Sequence, residues 1–412
     1  MDVAIIGAGI GGLTLGLMLH EKGIPCRIYE SAPEIRPVGV GINVLPHANK
    51  ELCALGLEGA LAERAVITAE SAFFNRFGQF IYREPAGRFA GYPWPQFSIH
   101  RGDLQAVLRD AFVARAGADR LLLDWRCTGC EQQGTKVAAR FEDGQGRARQ
   151  TQSADVLVDC EGIHSVIRKQ LYPQEGAPRY SGVNMWRGTT HWPGFLTNAS
   201  MTRVGWLAKA KMVIYPIRNN VDGTDRQLIN WVVEIETPHY KQRDWNRPGR
   251  LEDFMGAIAE WKFDWLDIPA MIRAADMVLE FPMVDQDPLP RWSFGRITLL
   301  GDAAHPMLPR GSNGAGQAIL DCRALADCLA ASIDPEAALL EYERLRLEPT
   351  TNVVLTNRRN PPDAILREVY LRTGDKPFRH IDDVISPQEL AALSDSYKRV
   401  AGYDKDKLGA AR

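Results

Sequence analysis

The sequence predicts a mixed α/β (α+β) protein. A parallel-sheet unit is assembled from both ends of the chain, a second sheet unit is inserted between them, and a helical region closes the C-terminus. Three observations predict this. A strand, glycine turn, helix and second strand fill the first 30 residues. A tryptophan-rich, strand-patterned stretch occupies about 175–285. The buried-strand and glycine-turn pattern of the start returns near position 300 and leads into helical periodicity. The predicted units are therefore 1–174 and 286–355 for the first, 175–285 for the insert and 356–412 for the tail.

Val3 to Ile6 is an apolar strand, and the following helix carries Leu13, Leu17 and Met18. Cys26 to Tyr29 reads as the next strand. Short helices are expected around Pro46–Leu55 and Leu57–Ala65. From Arg101 to Ala116 apolar residues recur at Leu104, Val107, Leu108, Ala111 and Phe112, one face of a helix. Val137 to Phe141 runs into a hairpin turn at Asp143-Gly144, and Val156 to Val158 is another buried strand. In the insert, Met212–Ile217 and Leu228–Ile235 are strands, with two helices around 250–273. Ile297 to Leu300 is a buried strand again, and a helix is expected from about Gly314 to Ala330.

Composition excludes several classes. Among 412 residues, 49 basic side chains face 51 acidic ones, so no net field favours nucleic acid or an anionic membrane. No run approaches the roughly 18 apolar residues of a membrane span. The chain starts directly on a strand, which leaves no room for a signal peptide, and a cytoplasmic protein is expected. Seven scattered cysteines form no disulfide framework. Cys127-Thr128-Gly129-Cys130 has redox-motif spacing but lies in a strand-like stretch, and without paired histidines no metal site is expected. The near-neutral charge leaves monomer and homodimer both open.

The chemistry-bearing motif is Gly7-Ala8-Gly9-Ile10-Gly11-Gly12 between a strand and a helix. Glycines let the backbone turn tightly and approach a pyrophosphate that the helix N-terminus stabilises. Glu30, eighteen residues past Gly12, ends the next strand, where its carboxylate can accept ribose hydroxyls. That charge would repel a 2′-phosphate, so this Rossmann-like site suits FAD or NAD. A second cluster runs from Gly301-Asp302 through Pro309-Arg310-Gly311-Ser312-Asn313-Gly314-Ala315-Gly316. Asp302 can hold polyol hydroxyls, and the amides around Gly314–Gly316 can face a negative flavin edge. An ordinary strand-to-helix loop is the alternative.

Taken together, these clusters resemble the class A FAD-dependent aromatic hydroxylases, the para-hydroxybenzoate hydroxylase family, and within it the phenazine-hydroxylating branch. The resemblance covers about 1–350. Its shared phrases are Glu34–Pro37 with Gly39–Asn43, Ser98–Gly102, Met185–Gly188, Asp244–Arg247, Pro282–Asp285, Arg296–His305 and Asn313–Ala315. It implies a tightly but non-covalently bound FAD, held by Gly7, Ala8, Gly9, Gly12, Glu30, Arg36, Gly39, Arg101, Gly301, Asp302, Asn313, Gly314 and Ala315. Arg101, at a helix start, can pair with phosphate bidentately. The family's central Asp-Gly pair stands here as Glu161-Gly162, one methylene longer, with Glu161 expected toward a nucleotide phosphate. The C-terminal 60 residues, with Pro361-Pro362 and Asp382-Asp383, diverge from the phenazine-hydroxylating pattern.

The implied activity uses NADH or NADPH and O2 to hydroxylate an aromatic or N-heteroaromatic ring through a flavin C4a-hydroperoxide, with or without decarboxylation. The protein would exclude water, place the ring and present dipoles. Trp186, Arg187, Tyr215, Trp231 and Met283 are the candidates to line the substrate pocket, although core packing is an equal reading for either tryptophan. Pro309 and Tyr215 are the catalytic candidates, and Arg187 or Arg310 could meet a substrate carboxylate. The histidines at 100, 164 and 305 read as structural. The rival readings are an oxidase or dehydrogenase of the same fold, and a flavoprotein that only binds an aromatic ligand. A halogenase is disfavoured because Trp265-Leu266-Asp267-Ile268-Pro269 lacks that class's spacing.

Overall fold

The computed structural model describes residues 1–37, 39–237, 248–359 and 362–409. The resemblance phrase Asp244–Arg247 and the proline Pro361 lie outside the described residues.

A six-stranded sheet orders Ser293–Phe294, Ile297–Leu299, Val156–Asp159, Val3–Ile6, Cys26–Glu30 and Leu121–Leu123. All its pairings are parallel except the edge hairpin made by Ser293–Phe294. Val3 stands beside Val156 and Cys26, and Leu157 beside Ile297, so strands from both ends of the chain meet at the centre. Strands covered on both faces need continuous apolar runs, and Val3–Ile6 is buried throughout. Helices Ile10–Glu21 and Gly314–Ala331 pack together so closely that a Cβ on Gly11 would stand 3.1 Å from Leu300 Cδ2 and 3.8 Å from Ala318 Cβ. Two helix N-termini thus open side by side at the C-terminal edge of the sheet.

The second sheet has seven strands, ordered Val278–Asp285, Arg179–Trp192, Gln227–Glu236, Ala210–Arg218, Ser200–Trp206, Glu70–Phe74 and Phe80–Pro85. The last two come from the first segment, which corrects the simple insertion at 175–285. Thr202 pairs with Ala72 in parallel, and Phe73 with Tyr82 antiparallel. Local periodicity hides these strands, because Phe73 and Phe74 are both buried and no polar face alternates with them.

Strand alternation gives this sheet two unlike faces. Phe74, Trp186, Val204, Met212, Trp231 and Val233 point to one side and pack on Phe254, Ile258, Met271 and Ile272. The other face turns Met201, Arg203, Tyr215 and Arg187 toward the first unit and the tail. The tail is helical, as expected, in Ala364–Thr373, Pro387–Ala401 and Lys405–Gly409, and helix Pro335–Arg359 runs into it from the first unit. It seals the sheet's far edge through Phe73 and Ile81 against Ile365, Leu366, Val369 and Leu390. Cys127 and Cys130 are buried thiols on strand Arg126–Gln133, both pushed above the ordinary thiol range by burial. Among the described residues no helix is long and apolar enough to cross a membrane.

Candidate functional site

The three glycines of the N-terminal turn do different work. A Cβ on Gly12 would sit 1.9 Å from the Gly7 carbonyl oxygen, and Gly7 has φ +99°, so these two make the tight strand-to-helix turn possible. A Cβ on Gly9 would meet nothing within 4 Å. Gly9 therefore leaves open space in front of a helix whose N-cap offers no side-chain acceptor. That geometry suits an anionic pyrophosphate approaching bare amides.

Glu30 is braced against this turn. Its Oε2 accepts from the Ala8 amide at 2.8 Å, and its Oε1 from the Ala32 amide at 2.9 Å. Oε1 also accepts from the Ser31 hydroxyl at 3.1 Å, so Oε2 is the oxygen that keeps a lone pair for a ribose hydroxyl. Gln105 Nε2 donates to the Ala8 carbonyl at 2.8 Å and fixes the turn from the other side. Arg101 opens helix Arg101–Ala116, is exposed, and has no carboxylate partner among the described residues. Gly39, at φ +109°, lies against it: a Cβ there would be 3.6 Å from Arg101 Cδ. His100 holds the same loop as a structural residue, with Nε2 3.1 Å from the Gly39 carbonyl and Nδ1 accepting from the Gly102 amide.

The second cluster closes the cradle. Gly301 adopts φ +62°, and a Cβ on Gly314 would stand 3.7 Å from Asp302 Oδ1. Asp302 is thus exposed at the start of helix Gly314–Ala331 without a partner among the described residues. Asn313, the N-cap, spends its Nδ2 on the Gly311 carbonyl (3.0 Å) and the Tyr397 hydroxyl (2.8 Å), leaving the first-turn amides at Gly314 and Ala315 uncapped. Two bare helix N-termini, two carboxylates for hydroxyls and one free guanidinium are the donor and acceptor set of FAD. The residues fit the cofactor.

Two expected cofactor contacts are placed otherwise. Arg36 is solvent-exposed and paired with Glu34 at 2.8 Å, as loop arginines commonly are. Glu161 turns to the start of helix Val166–Leu171, where its Oε2 accepts from the Val166 amide at 3.1 Å. The added methylene lets it reach back as a helix cap. Burial and the neighbouring Asp159 carboxylate hold Glu161 well above the usual carboxylate range.

A cavity of about 650 Å³ opens between the large sheet, the segment Leu45–Pro46, the turn Gly311–Ser312 and the C-terminal tail. Its aromatic walls are Phe73, Tyr82, Tyr92, Tyr397 and Tyr403. Tyr403 is held by Tyr92 Oη, which donates to its carbonyl at 2.6 Å. Pro309 begins the turn that carries the lining Gly311 and Ser312, but neither it nor Tyr215 is itself among the lining residues. Tyr215 and Arg187 meet under strand Gly41–Val44: Arg187 Nη2 donates to the Gly41 carbonyl at 3.0 Å, with Tyr215 beside it. Burial raises the Tyr215 phenol and lowers the Arg187 guanidinium from their ordinary values.

Trp186 and Trp231 do not line the cavity. Both lie on the opposite face of the sheet, buried against Phe254, because residues of that strand phase point away from the first unit. Met283 faces the first unit but is buried under Leu308. Arg187 and Arg310 are also absent from the lining; the cavity's cations include Arg203 on the sheet and Lys398 on the tail. Arg203 pairs with Asp363 at 3.1 Å, donates to Ser71 Oγ, and reaches only the Met201 sulfur (3.8 Å) with its remaining nitrogen. Asp363 also pairs with the buried Lys211, which meets Glu234 at 2.9 Å. Lys398 pairs with Glu84 at 2.7 Å. Sequence reasoning missed these tail residues. The signal available was the hydrophobic face of 387–401, opened by a capping box of Ser386 and Glu389.

Comparison with known proteins agrees with this geometry. The family model described as "FAD binding domain" matches residues 1–356. The chain is 40% identical to phenazine 1,6-dicarboxylic acid hydroxylase PhzS of Lysobacter antibioticus, over 97% of both chains. The family match ends close to the expected limit near 350, while the alignment to this relative runs on through the C-terminal tail. It is 30% identical to a 6-hydroxynicotinate 3-monooxygenase of Pseudomonas fluorescens, over 91% of this chain and 93% of that one. Among solved structures, Klebsiella pneumoniae HpxO complexed with FAD and uric acid superposes with a TM-score of 0.75 at 22% identity, covering 96% of each chain.

Proposed function

The chain belongs to the FAD-binding-domain family, and from that premise we propose that its substrate is a planar, carboxylated N-heteroaromatic of about phenazine size, held in the tail-walled cavity. The enzyme is an FAD-dependent aromatic monooxygenase that draws on NAD(P)H and O2. The observation that carries the substrate reading is the cavity itself. Its volume, about 650 Å³, falls within the range of small-molecule sites, and tyrosine and phenylalanine rings wall it. The relative named as a phenazine dicarboxylate hydroxylase supports the ring size.

Bound FAD supplies hydride acceptance and oxygen transfer; the chain supplies binding, orientation and dryness. The Gly7–Gly12 turn and Arg101 take the phosphates, Glu30 and Asp302 the hydroxyls, and the amides of Gly314 and Ala315 the electron-rich edge of the ring system. Pro309 begins the turn that floors the substrate cavity. Tyr215, kept protonated by burial, lies beside Arg187, whose guanidinium donates to the Gly41 carbonyl and ties down strand Gly41–Val44. Arg203, with a nitrogen on nothing stronger than sulfur, takes a substrate carboxylate. The use of NAD(P)H and the seven free thiols support a cytoplasmic enzyme, working as a monomer or homodimer.

The test is an NAD(P)H-oxidation screen of the purified protein against phenazine carboxylates, hydroxybenzoates and hydroxypyridine carboxylates, with product mass read for each hit. Stimulated oxidation with a phenazine carboxylate and a product heavier by one oxygen supports the reading. Loss of carboxylate with oxygen gain would assign decarboxylative hydroxylation. Substrate oxidation without oxygen gain would assign an oxidase or dehydrogenase instead.

A further inference from the structure

The loop from Leu308 to Asn313 carries part of the cavity lining and leads into the cofactor-side helix, and its Leu308 carbonyl, Arg310 carbonyl and Asn313 amide are bonded from the C-terminal tail. Asn357, fully buried near the end of helix Pro335–Arg359, donates Nδ2 to the Leu308 carbonyl at 3.3 Å. Its Oδ1 accepts from the Tyr397 hydroxyl at 2.6 Å. Tyr397, on helix Pro387–Ala401, accepts in turn from Asn313 Nδ2 at 2.8 Å. Asn313 closes the circuit on the Gly311 carbonyl at 3.0 Å. A Cβ on Gly311 would lie 1.9 Å from Tyr397 Oη, so the loop and the phenol are in direct contact, with Gly311 at φ +77°.

We propose that Tyr397 and Asn357 are positioning residues for oxygen transfer. They clamp the Leu308–Asn313 loop, so that product formation per NAD(P)H consumed depends on two helices of the C-terminal tail. The clamp is one-sided. The Tyr397 hydroxyl joins the two ends of the loop, accepting from Asn313, donating to Asn357 and lying 3.4 Å from the Arg310 carbonyl, and Tyr397 also lines the cavity, so the substrate-facing wall and the cofactor-facing turn share one hydrogen-bonded hub. Burial keeps the phenol far above neutral pH in its titration, so it stays a donor throughout the working range. Its ring fills the wall with or without the hydroxyl, which lets Tyr397→Phe isolate the bond from the packing.

The inference rests on the proposed function for its consequence but not for its geometry, and the experiment separates the two. The holoenzyme and Tyr397→Phe are compared by amide hydrogen exchange of residues 308–316 and by product formed per NAD(P)H oxidised. Tyr172→Phe serves as control, since its bond to the Arg291 carbonyl is exposed and remote. We expect exchange in 308–316 to accelerate about tenfold, the scale of one lost buried hydrogen bond. The coupling ratio is expected to fall severalfold at unchanged FAD content, with the control unaltered. Unchanged exchange and unchanged coupling in folded Tyr397→Phe overturn the proposal. If that variant does not fold, Asn357→Leu is read by the same two measures. In the double variant the effects must be non-additive, because each change breaks the same link; additive effects also overturn it. If no substrate is hydroxylated by the parent enzyme, the proposed function fails while the exchange comparison still decides the clamp.

Discussion

Gly12 is the residue on which the cofactor cradle is least negotiable. A methyl group there would collide with the Gly7 carbonyl backbone at 1.9 Å, which no side-chain adjustment relieves. Gly12→Ala is expected to purify without yellow colour or not at all, whereas Gly9→Ala, facing open space, should fold and bind FAD weakly; visible absorbance distinguishes them. Arg203→Ala removes the cation proposed for the carboxylate, and KM for a carboxylated substrate should rise about tenfold to hundredfold against a smaller change in kcat. An unchanged KM would reassign the carboxylate to Lys398. At this scale the sequence was legible where chemistry fixes residue type: Gly7, Gly12, Glu30 and Asp302 stand where their motif spacing put them. It was illegible where only strand phase decides. Trp186 and Arg187 are neighbours in sequence and face opposite sides of the sheet, one into the core and one toward the first unit.

Helix Pro387–Ala401 shows how an element rather than a residue builds the cavity wall. Its N-terminus is closed by a capping box, with the Ser386 side chain on the Glu389 amide and the Glu389 side chain on the Ser386 amide. Arg372, and then the Ser386 groups, hold the Glu389 carboxyl down to about 2 from its ordinary 4.5. A depressed carboxylate stabilises the fold above its unfolded value and loses that contribution as pH falls through the folded one. The helix should therefore keep its cap at pH 5 and fray between about 4.5 and 2, read by hydrogen exchange in 387–401. The joint between helix Ala364–Thr373 and the sheet depends on Asp363, whose carboxyl Lys211 and Arg203 hold below its ordinary range against burial. Asp363→Asn leaves buried Lys211 with Glu234 alone and buried Arg203 with no carboxylate among the described residues. Thermal unfolding is expected to show a loss on the order of 3–5 kcal/mol. None of these partners adjoin in sequence, and only the capping box leaves a local trace.

At the scale of the whole molecule, the first unit is written at both ends of the chain and the large sheet in the middle, but the two are not cleanly nested. Glu70–Phe74 and Phe80–Pro85 cross from the first segment to complete the large sheet, and the tail returns to cover that edge. The cavity lies where all three meet, so it has no single sequence address. The cofactor half was legible because pyrophosphate binding demands a glycine turn at a helix start. The cavity proposed for the substrate was not, because its aromatic walls and paired cations are assembled from separate segments by packing alone. The proposed reaction delivers one atom of molecular oxygen to a carboxylated heteroaromatic ring. The most direct measurement supplies the purified enzyme with NAD(P)H, a phenazine carboxylate and isotopically heavy oxygen gas, and weighs the product. One heavy oxygen atom per product molecule is the predicted result. A product without heavy oxygen, formed while NAD(P)H is consumed, would contradict it.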